Sequence, residues 1–548
     1  MTPLRHLAPV ACVVAIAAAA GCGGGSPGPP SPTPTAGPSP TLQLVPTIVP
    51  TAGGAPPSSA VDLATGSGLL TVLAADEGDL PTGGMSAAGG DFNGDGVGDI
   101  LLGAPFGDGP GNSRLEAGEA YVIYGPRALE GEIDLAGGGA DVTIWGALAG
   151  DNLGFSVISG DLNGDGVDDV VVGAPGSNGL TNVRTDLGEA YVIFGSPSLA
   201  GTVDLAEVEQ DFTFRPAEGF TRVGTTFAIG DVNADGVDDL IAGGPGGGRV
   251  EGSSVGSPRT TEGEVYVVFG GAGLVGEKDV ARGEEDVRLK GAAELDGFGR
   301  SVASGDVNGD GVDDIVVGAS SADGPDDARQ EAGEAYVFFG STALAGRVDS
   351  ADAALTVLGA GEREALGAAV AGGDFNGDGL ADIVLSAHFR GAPGGSRPNA
   401  GTAYVIFGSA SLGGVLDLAG QATDAVVFGR DAFDFMPSAM AAADTDGDGL
   451  DDLALGAAAA AGPENSRPGA GEAYVLSGGA LAGQIDLRVD VDAAVFVYGA
   501  LSDEEAGRVA SWSDIDGDGK PELLLLAPGR QDGSGGRGRL YLVGLPGP

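Results

Sequence analysis

Seven stretches of this chain carry one nine-residue pattern, and their even spacing limits the fold more than any other feature. The first is "GDFNGDGVGDILLGAP" (90–105). It returns as "GDLNGDGVDDVVVGAP", "GDVNADGVDDLIAGGP", "GDVNGDGVDDIVVGAS", "GDFNGDGLADIVLSAH", "ADTDGDGLDDLALGAA" and "SDIDGDGKPELLLLAP". The leading aspartates Asp91, Asp161, Asp231, Asp306, Asp374, Asp444 and Asp514 stand 70, 70, 75, 68, 70 and 70 residues apart. A period this steady marks an architecture in which each unit buries its apolar face against the next.

Each unit holds further fixed parts. An aromatic segment between glycines, such as "GEAYVIYG" or "GEVYVVFG", alternates β-branched and aromatic residues and reads as a strand. A short "IDL"-like element follows, then an apolar stretch such as "VTIWGA" or "VFVYGA". The residues leading into and out of the aspartate cluster supply the rest. This gives about four strands per unit and no helical periodicity. The expected fold is all-β: a seven-bladed β-propeller of four-stranded blades over residues 61–545. The last unit stops at "GRLYLVGL" and lacks its "IDL" and "TVL" parts, which stand unattached at the start as Val61–Leu63 and within 69–76. The N-terminal piece is therefore expected to join the last blade and close the ring, leaving no open sheet edge.

The repeated loop places oxygen donors at positions 1, 3, 5 and 9 and a backbone carbonyl at position 7. Hard oxygen ligands at this spacing suit calcium, with up to seven ions. The candidate ligands are Asp91, Asn93, Asp95, Val97 and Asp99; Asp161, Asn163, Asp165, Val167 and Asp169; and Asp231, Asn233, Asp235, Val237 and Asp239. They continue as Asp306, Asn308, Asp310, Val312 and Asp314; Asp374, Asn376, Asp378, Leu380 and Asp382; Asp444, Asp446, Asp448, Leu450 and Asp452; and Asp514, Asp516, Asp518, Lys520 and Glu522. Position 6 is glycine in every copy, as a tight wrap around an ion requires. An EF-hand would need a glutamate at position 12, where Leu102 and Val172 stand, and flanking helices. A turn held only by side-chain hydrogen bonds would suit one copy, but seven clusters of like charge call for cations. Copy 7, with Pro521 and Glu522, and copy 3, with Ala234 at the fourth position, depart most from the pattern.

The strand-loop-strand unit ending in "GAP", with "GFS" ahead of it in copy 2, resembles the FG-GAP repeat that builds the seven-bladed propeller of integrin alpha chains and occurs in many bacterial surface proteins. Copies 1, 6 and 7 lack a clear "FG", and copies 4 to 6 lose the "GAP" proline. The resemblance implies calcium in the loops between the first and second strands of a blade, on one face. It implies ligand binding on the opposite face, through the 2–3 and 4–1 loops. The repeat spacing leaves no room for an inserted domain.

An arginine precedes the strand tyrosine by seven residues in six units: Arg114, Arg184, Arg259, Arg329, Arg397 and Arg467, with Arg537 and Arg539 nearby in the seventh. Such a ring either awaits an anionic ligand or pairs with carboxylates of its own or a neighbouring blade. Placement in every blade favours pairing.

Function classes narrow further on composition. With 26 Lys and Arg against 78 Asp and Glu the net charge is -52, which repels nucleic acid and anionic lipid. Beyond the N-terminus there is one histidine, His388, read as a loop residue, and no cysteine. Ser-His-Asp, Cys-His and histidine-rich zinc sites are therefore poorly supported, and the patterned acids are already assigned to metal loops. No enzyme is expected.

The N-terminus "MTPLRHLAPVACVVAIAAAAGC" has a basic start and an apolar run too short to span a bilayer. It ends in Ala19-Ala20-Gly21-Cys22, which resembles a bacterial lipobox, with Cys22 as the lipidated residue and Ala19 where leucine is commoner. An ordinary signal peptide is the alternative. Residues 23–60 are rich in Pro, Gly, Ser and Thr and read as an extended disordered spacer. The chain is thus expected to be an exported lipoprotein of the outer membrane or cell surface, touching membrane only through its lipid. Its expected role is a calcium-stabilised binding or adhesion module for an extracellular protein or glycan. A scaffold of an envelope assembly, or a carbohydrate-active enzyme or lectin, are the alternatives.

Overall fold

The computed structural model describes residues 59–546, apart from 66–68, 77–78, 80–86, 180–185, 209, 218–220, 247–261, 326–327 and 530–536, and apart from the side chains of 509–510. The expected signal peptide, Cys22 and the spacer up to residue 58 lie outside the described residues, as do Arg184 and Arg259, while Ala60, the last residue of the expected spacer, opens a strand.

The described residues form seven β-sheets, one per repeat, and no α-helix occurs among them. The first blade shows the plan. Strands Ala87–Gly90, Asp99–Ala104, Glu119–Ile123 and Val142–Trp145 run antiparallel in chain order, with Gly90 opposite Asp99, Leu102 opposite Tyr121 and Tyr121 opposite Thr143. The second and third strands are buried along their whole length, so they read as near-continuous apolar runs rather than as an alternation. They are buried because each face of a blade meets a neighbour. Leu101, Val122 and Ile144 of blade 1 pack on Val170, Val172 and Tyr191 of blade 2. Six further clusters of this kind lie between or within adjoining blades, so burial is distributed around the ring rather than held in one centre.

Each sheet has five strands, one more than the four expected. The additional strand is the "IDL" element, and it crosses to the preceding blade. Gly201–Asp204 follows the third strand of blade 2 but pairs parallel with Val142–Trp145 of blade 1, Gly201 beside Val142 and Asp204 beside Trp145. The same crossing recurs at Gly276–Asp279, Gly346–Asp349, Gly414–Asp417 and Gly483–Asp486. It covers the edge that each fourth strand would otherwise expose.

The crossing also refines how the ring closes. Leu69–Leu73 pairs antiparallel with Arg539–Val543, supplying the fourth strand of blade 7 as expected. Ala60–Asp62 does not join blade 7. It pairs parallel with Val495–Tyr498 and forms the outer edge of blade 6. The seam is filled by Leu70 and Val72 against Leu524, Leu526, Leu540 and Leu542, with Ile100 and Leu102 of blade 1 behind them.

The blades approach so closely that some positions tolerate no side chain. A Cβ on Gly103 would lie 2.0 Å from the Gly154 carbonyl oxygen in the next blade's entry loop.

Candidate functional site

The seven aspartate loops join first to second strands, so the antiparallel plan gathers them at one end of the blades. The 2–3 and 4–1 connections gather at the other. In loop 1 the Asp91 carboxylate accepts the backbone N–H groups of Gly94, Asp95 and Gly96 at 2.8, 3.0 and 2.8 Å. Asp95 accepts that of Val97 at 2.9 Å. Loops 2 and 7 repeat these bonds around Asp161 and Asp514. The sixth-position glycines need their positive φ, +83° at Gly96 and +87° at Gly166, with open space around them. Ala234 takes a φ of +62° and accommodates the same turn.

The ninth-position acids lie under the turn, fully or almost fully buried. Asp99 accepts the N–H of Phe92 at 2.9 Å and that of Gly125 at 2.8 Å, tying the loop to the end of the third strand. Asp169, Asp239, Asp314 and Asp382 do the same. In loop 7 the longer Glu522 still reaches the Ile515 N–H at 3.1 Å. Burial pushes the carboxyls of Asp99, Asp169, Asp239, Asp314 and Glu522 up to about 7 and that of Asp382 to about 6. The backbone bonds at each loop base oppose that rise, and neighbouring loop acids such as Asp91 and Asp95 add to it.

The third position separates two kinds of loop. In loop 6 carboxylate oxygens of Asp444, Asp446 and Asp448 lie within 4.8 Å of one another, as do those of Asp514, Asp516 and Glu522 in loop 7. In loops 2 to 5 the third residue is asparagine, and its amide donates to the ninth-position acid, as from Asn163 to Asp169 at 3.1 Å. Buried acids whose charge is disfavoured, converging on exposed carboxylates with lone pairs to spare, fit a hard divalent cation. Positions 1, 3, 5 and 9 would hold calcium, whose charge would offset the repulsion and fix the turn.

Position 8, which the sequence pattern left unassigned, acts between blades. Asp168 of loop 2 accepts the N–H of Asp91 in loop 1 at 2.8 Å, while its own N–H bonds the Asp91 carbonyl. Asp238, Asp313 and Asp451 likewise accept the N–H groups of Asp161, Asp231 and Asp374, and Asp313 and Asp451 return the backbone bond. Gly98 and Ala381 keep only the backbone half, to Asp514 and Asp306. Pro521 offers neither a carboxylate nor an N–H, so loops 6 and 7 lack both. Position 7 adds packing: Val167 rests where a Cβ on Gly94 would stand, 3.1 Å away, and Val237 does so at Gly164. The double aspartate of "GVDD" was the sequence signal for this contact.

At the opposite end the repeated arginines are structural ties. Arg114 forms a two-pronged bond to Asp204 at 2.6 and 2.7 Å, and Arg329 and Arg397 bind Asp417 and Asp486 alike. Arg467 reaches Asp62 and Arg537 reaches Asp134. Each partner is the aspartate of the crossing strand, so the arginine pins the next unit's edge strand to its own blade. His388 lies against Phe389 with ring centroids 4.1 Å apart. Burial, with the Arg300 charge second, lowers its pKa to about 4 and keeps it neutral. Phe389 packs edge-on to Phe435 at 5.8 Å, and Phe389 and Phe433 are exposed.

Comparison with known proteins agrees with this geometry. Residues 83–123, 153–193, 223–268, 298–338, 366–406 and 436–476 match the FG-GAP repeat, each running from the first strand of a blade to the third. The chain is similar to human phosphatidylinositol-glycan-specific phospholipase D, 35% identical over 31% of this chain and 19% of that protein. It is also similar to integrin alpha pat-2 of Caenorhabditis briggsae, 30% identical over 43% of this chain and 18% of the integrin. Integrin alpha-PS5 of Drosophila melanogaster is 30% identical over 32% of this chain and 16% of its own length. The chain thus spans about a fifth of the curated relatives it matches. It is a seven-bladed β-propeller in which six of the seven units match the FG-GAP repeat, and it is similar over part of its length to integrin alpha chains.

Proposed function

We propose that the chain is an exported, lipid-anchored surface protein whose calcium-stabilised propeller is a non-enzymatic binding or adhesion module for protein or glycan ligands. Binding takes place on the face opposite the metal loops. One observation carries the reading: in the 4–1 loops of that face the backbone repeats while the displayed side chains do not. The 4–1 loops hold two left-handed positions, bonded through the backbone to the 2–3 loop at residues 150 and 152, 363 and 365, 433 and 435, and 503 and 505. These positions carry Gly150 and Asn152, Leu295 and Gly297, Arg363 and Ala365, Phe433 and Phe435, or Asp503 and Glu505. A scaffold that varies only its displayed residues is suited to recognition. The metal loops, nearly uniform and tied to each other, serve the ring. Anchoring at Cys22 and the 23–60 spacer would present the module away from the membrane. No helix among the described residues is long and apolar enough to cross a membrane.

The test is an array of extracellular proteins and glycans probed with the full chain, with and without EGTA. Calcium-dependent capture supports the proposal. No capture in either condition, or turnover of a polysaccharide or phospholipid, overturns it. Melting temperature measured against free calcium tests the metal separately, and a curve unmoved by chelation removes calcium from the account.

A further inference from the structure

Blade 5 breaks the internal repeat and leaves hydrogen-bonding capacity unfilled. In blades 1 to 4 and 6 the third strand begins with a glutamate whose carboxylate accepts the hydroxyl of a tyrosine two residues on. The pairs are Glu119 with Tyr121, Glu189 with Tyr191, Glu264 with Tyr266, Glu334 with Tyr336 and Glu472 with Tyr474. Blades 2 and 3 add a cation to the same carboxylate, Arg215 and Arg288. In blade 7, Glu504 from the entry loop accepts the Tyr541 hydroxyl instead. Every one of these tyrosines faces a carboxylate.

Blade 5 keeps the tyrosine, Tyr404, but has Thr402 in place of the glutamate. Thr402 is fully buried and Tyr404 is 5% exposed. Neither hydroxyl has a hydrogen-bond partner among the described residues. Two orphaned hydroxyls side by side are costly unless something accepts from them.

A cleft of about 440 Å³ opens on the same side of the sheet, lined by Glu364, Arg390, the 391–395 turn, Phe428 and Gln484, with the two hydroxyls buried behind that lining. Phe428 is the cross-strand neighbour of Thr402, and Gln484 is in register with Val426, the neighbour of Tyr404. These residues therefore share one face of the sheet. Arg390 joins cleft and tyrosine: its guanidinium carbon lies 5.5 Å from the Tyr404 ring centroid. Its Nη1 donates to Glu364 at 2.6 Å, and its other nitrogens have no acceptor among the described residues. The volume is at the low end for ligand pockets and suits one side chain with its flanks.

We propose that this cleft receives the carboxylate of an acidic side chain on a protein ligand, which takes the place that an internal glutamate holds in the other blades. It accepts from Tyr404, Thr402 and the free edge of Arg390, the donors a carboxylate binds best. Exposed Phe389, adjacent to Arg390 in sequence, and Phe433 give the apolar surface that residues flanking such an acid would cover. That favours a peptide over a uronic acid. The inference rests on the reading of this face as protein-binding.

The test is isothermal titration of the calcium-loaded full chain with acetyl-Phe-Glu-Phe-amide, its Gln counterpart and glucuronate. The expected result is at least tenfold tighter binding of the Glu peptide than of the Gln peptide. Thr402→Glu, which restores the internal carboxylate, is expected to abolish peptide binding and raise the melting temperature. Tyr404→Phe is expected to weaken binding at least fivefold without lowering the melting temperature, and it stands alone if Thr402→Glu fails to fold. Equal binding of the two peptides, no binding of either, or a Tyr404→Phe chain that binds normally would overturn the assignment. Glucuronate binding tighter than the Glu peptide would overturn its protein-ligand half. The titration does not require a known ligand. A failed array with a positive titration would sink only the broader proposal, and the reverse would sink only this one.

Discussion

Ring closure by the N-terminal strands can be tested by removing them. A chain starting at residue 77 loses Leu69–Leu73 from blade 7 and Ala60–Asp62 from blade 6. Leu63, Leu70, Val72 and Leu73 are all less than a tenth exposed in the intact protein. At about 1.5–3 kcal/mol for each buried aliphatic side chain, their loss costs about 6–12 kcal/mol. That is comparable with the whole stability of an ordinary domain. For a chain of this size it corresponds to a melting temperature lower by on the order of 10 °C. The cut also bares Arg539–Val543 as an open edge, which invites pairing between molecules. Residues 59–548 and 77–548 would be compared in calcium by thermal unfolding and light scattering. The second chain is expected to melt lower and to self-associate. A permuted chain, 77–548 followed by 59–76, is the control. Its join would replace the kind of connection that residues 124–130 make in blade 1, and it should recover the melting temperature. If 77–548 stays monomeric with an unchanged melting temperature, or the permuted chain is no better than the cut one, closure by this strand is not what holds the ring.

Three further outcomes are expected. The loop-base acids Asp99, Asp169, Asp239 and Asp314 have folded-state pKa values pushed to about 7, above their ordinary 3.8. The folded chain without metal therefore holds protons that the unfolded chain gives up, so the chelated protein loses stability as pH rises from about 4 through 7. Calcium should abolish that fall, and a chelated melting temperature that is flat or rising over this range would contradict it. Arg397→Met removes two bonds to Asp486 and one to the Arg430 carbonyl from a buried arginine, costing about 2 kcal/mol. A double-mutant cycle with Asp486→Asn should return at least about 1 kcal/mol of coupling, and additive effects would refute the tie. Gly103→Ala, with a Cβ 2.0 Å from a neighbouring carbonyl, should cost about 3 kcal/mol or more. Gly166→Ala, which meets open space but has a φ of +87°, should cost about 1–2 kcal/mol. Equal losses in the two chemical denaturation curves would show that contact and backbone strain have not been separated.

Much of this architecture was legible because seven copies repeat every local signal. The four antiparallel strands, the loops and the closure of blade 7 by 69–73 all follow from segments adjacent in sequence. What period alone hides is which blade a segment joins. The "IDL" element sits in unit 2 by sequence and in blade 1 by hydrogen bonding, because a strand edge cares about what lies beside it in space. The same blindness left Arg114 without a named partner, since Asp204 lies 90 residues on. It also left Asp168 looking redundant beside Asp169, although one aspartate faces the neighbouring loop and the other its own. Thr402 was visible in "GTAYVIFG", but its consequence appears only once Tyr404 is seen without an acceptor.

The proline at position 521 gives the ring an unexpected weak point. Strands from the two ends of the sequence, Leu69–Leu73 and Arg539–Val543, meet in blade 7, where a circular molecule would be expected to part first. Yet loop 1 still grips loop 7 through the Gly98 N–H, whereas loop 7 has no such hold on loop 6. Heat or tension would thus pry apart two blades that the polypeptide joins without a break. Such an opening behaves like a split washer, not a cut one: the parted edges stay tethered, and closing again is a local event rather than a search.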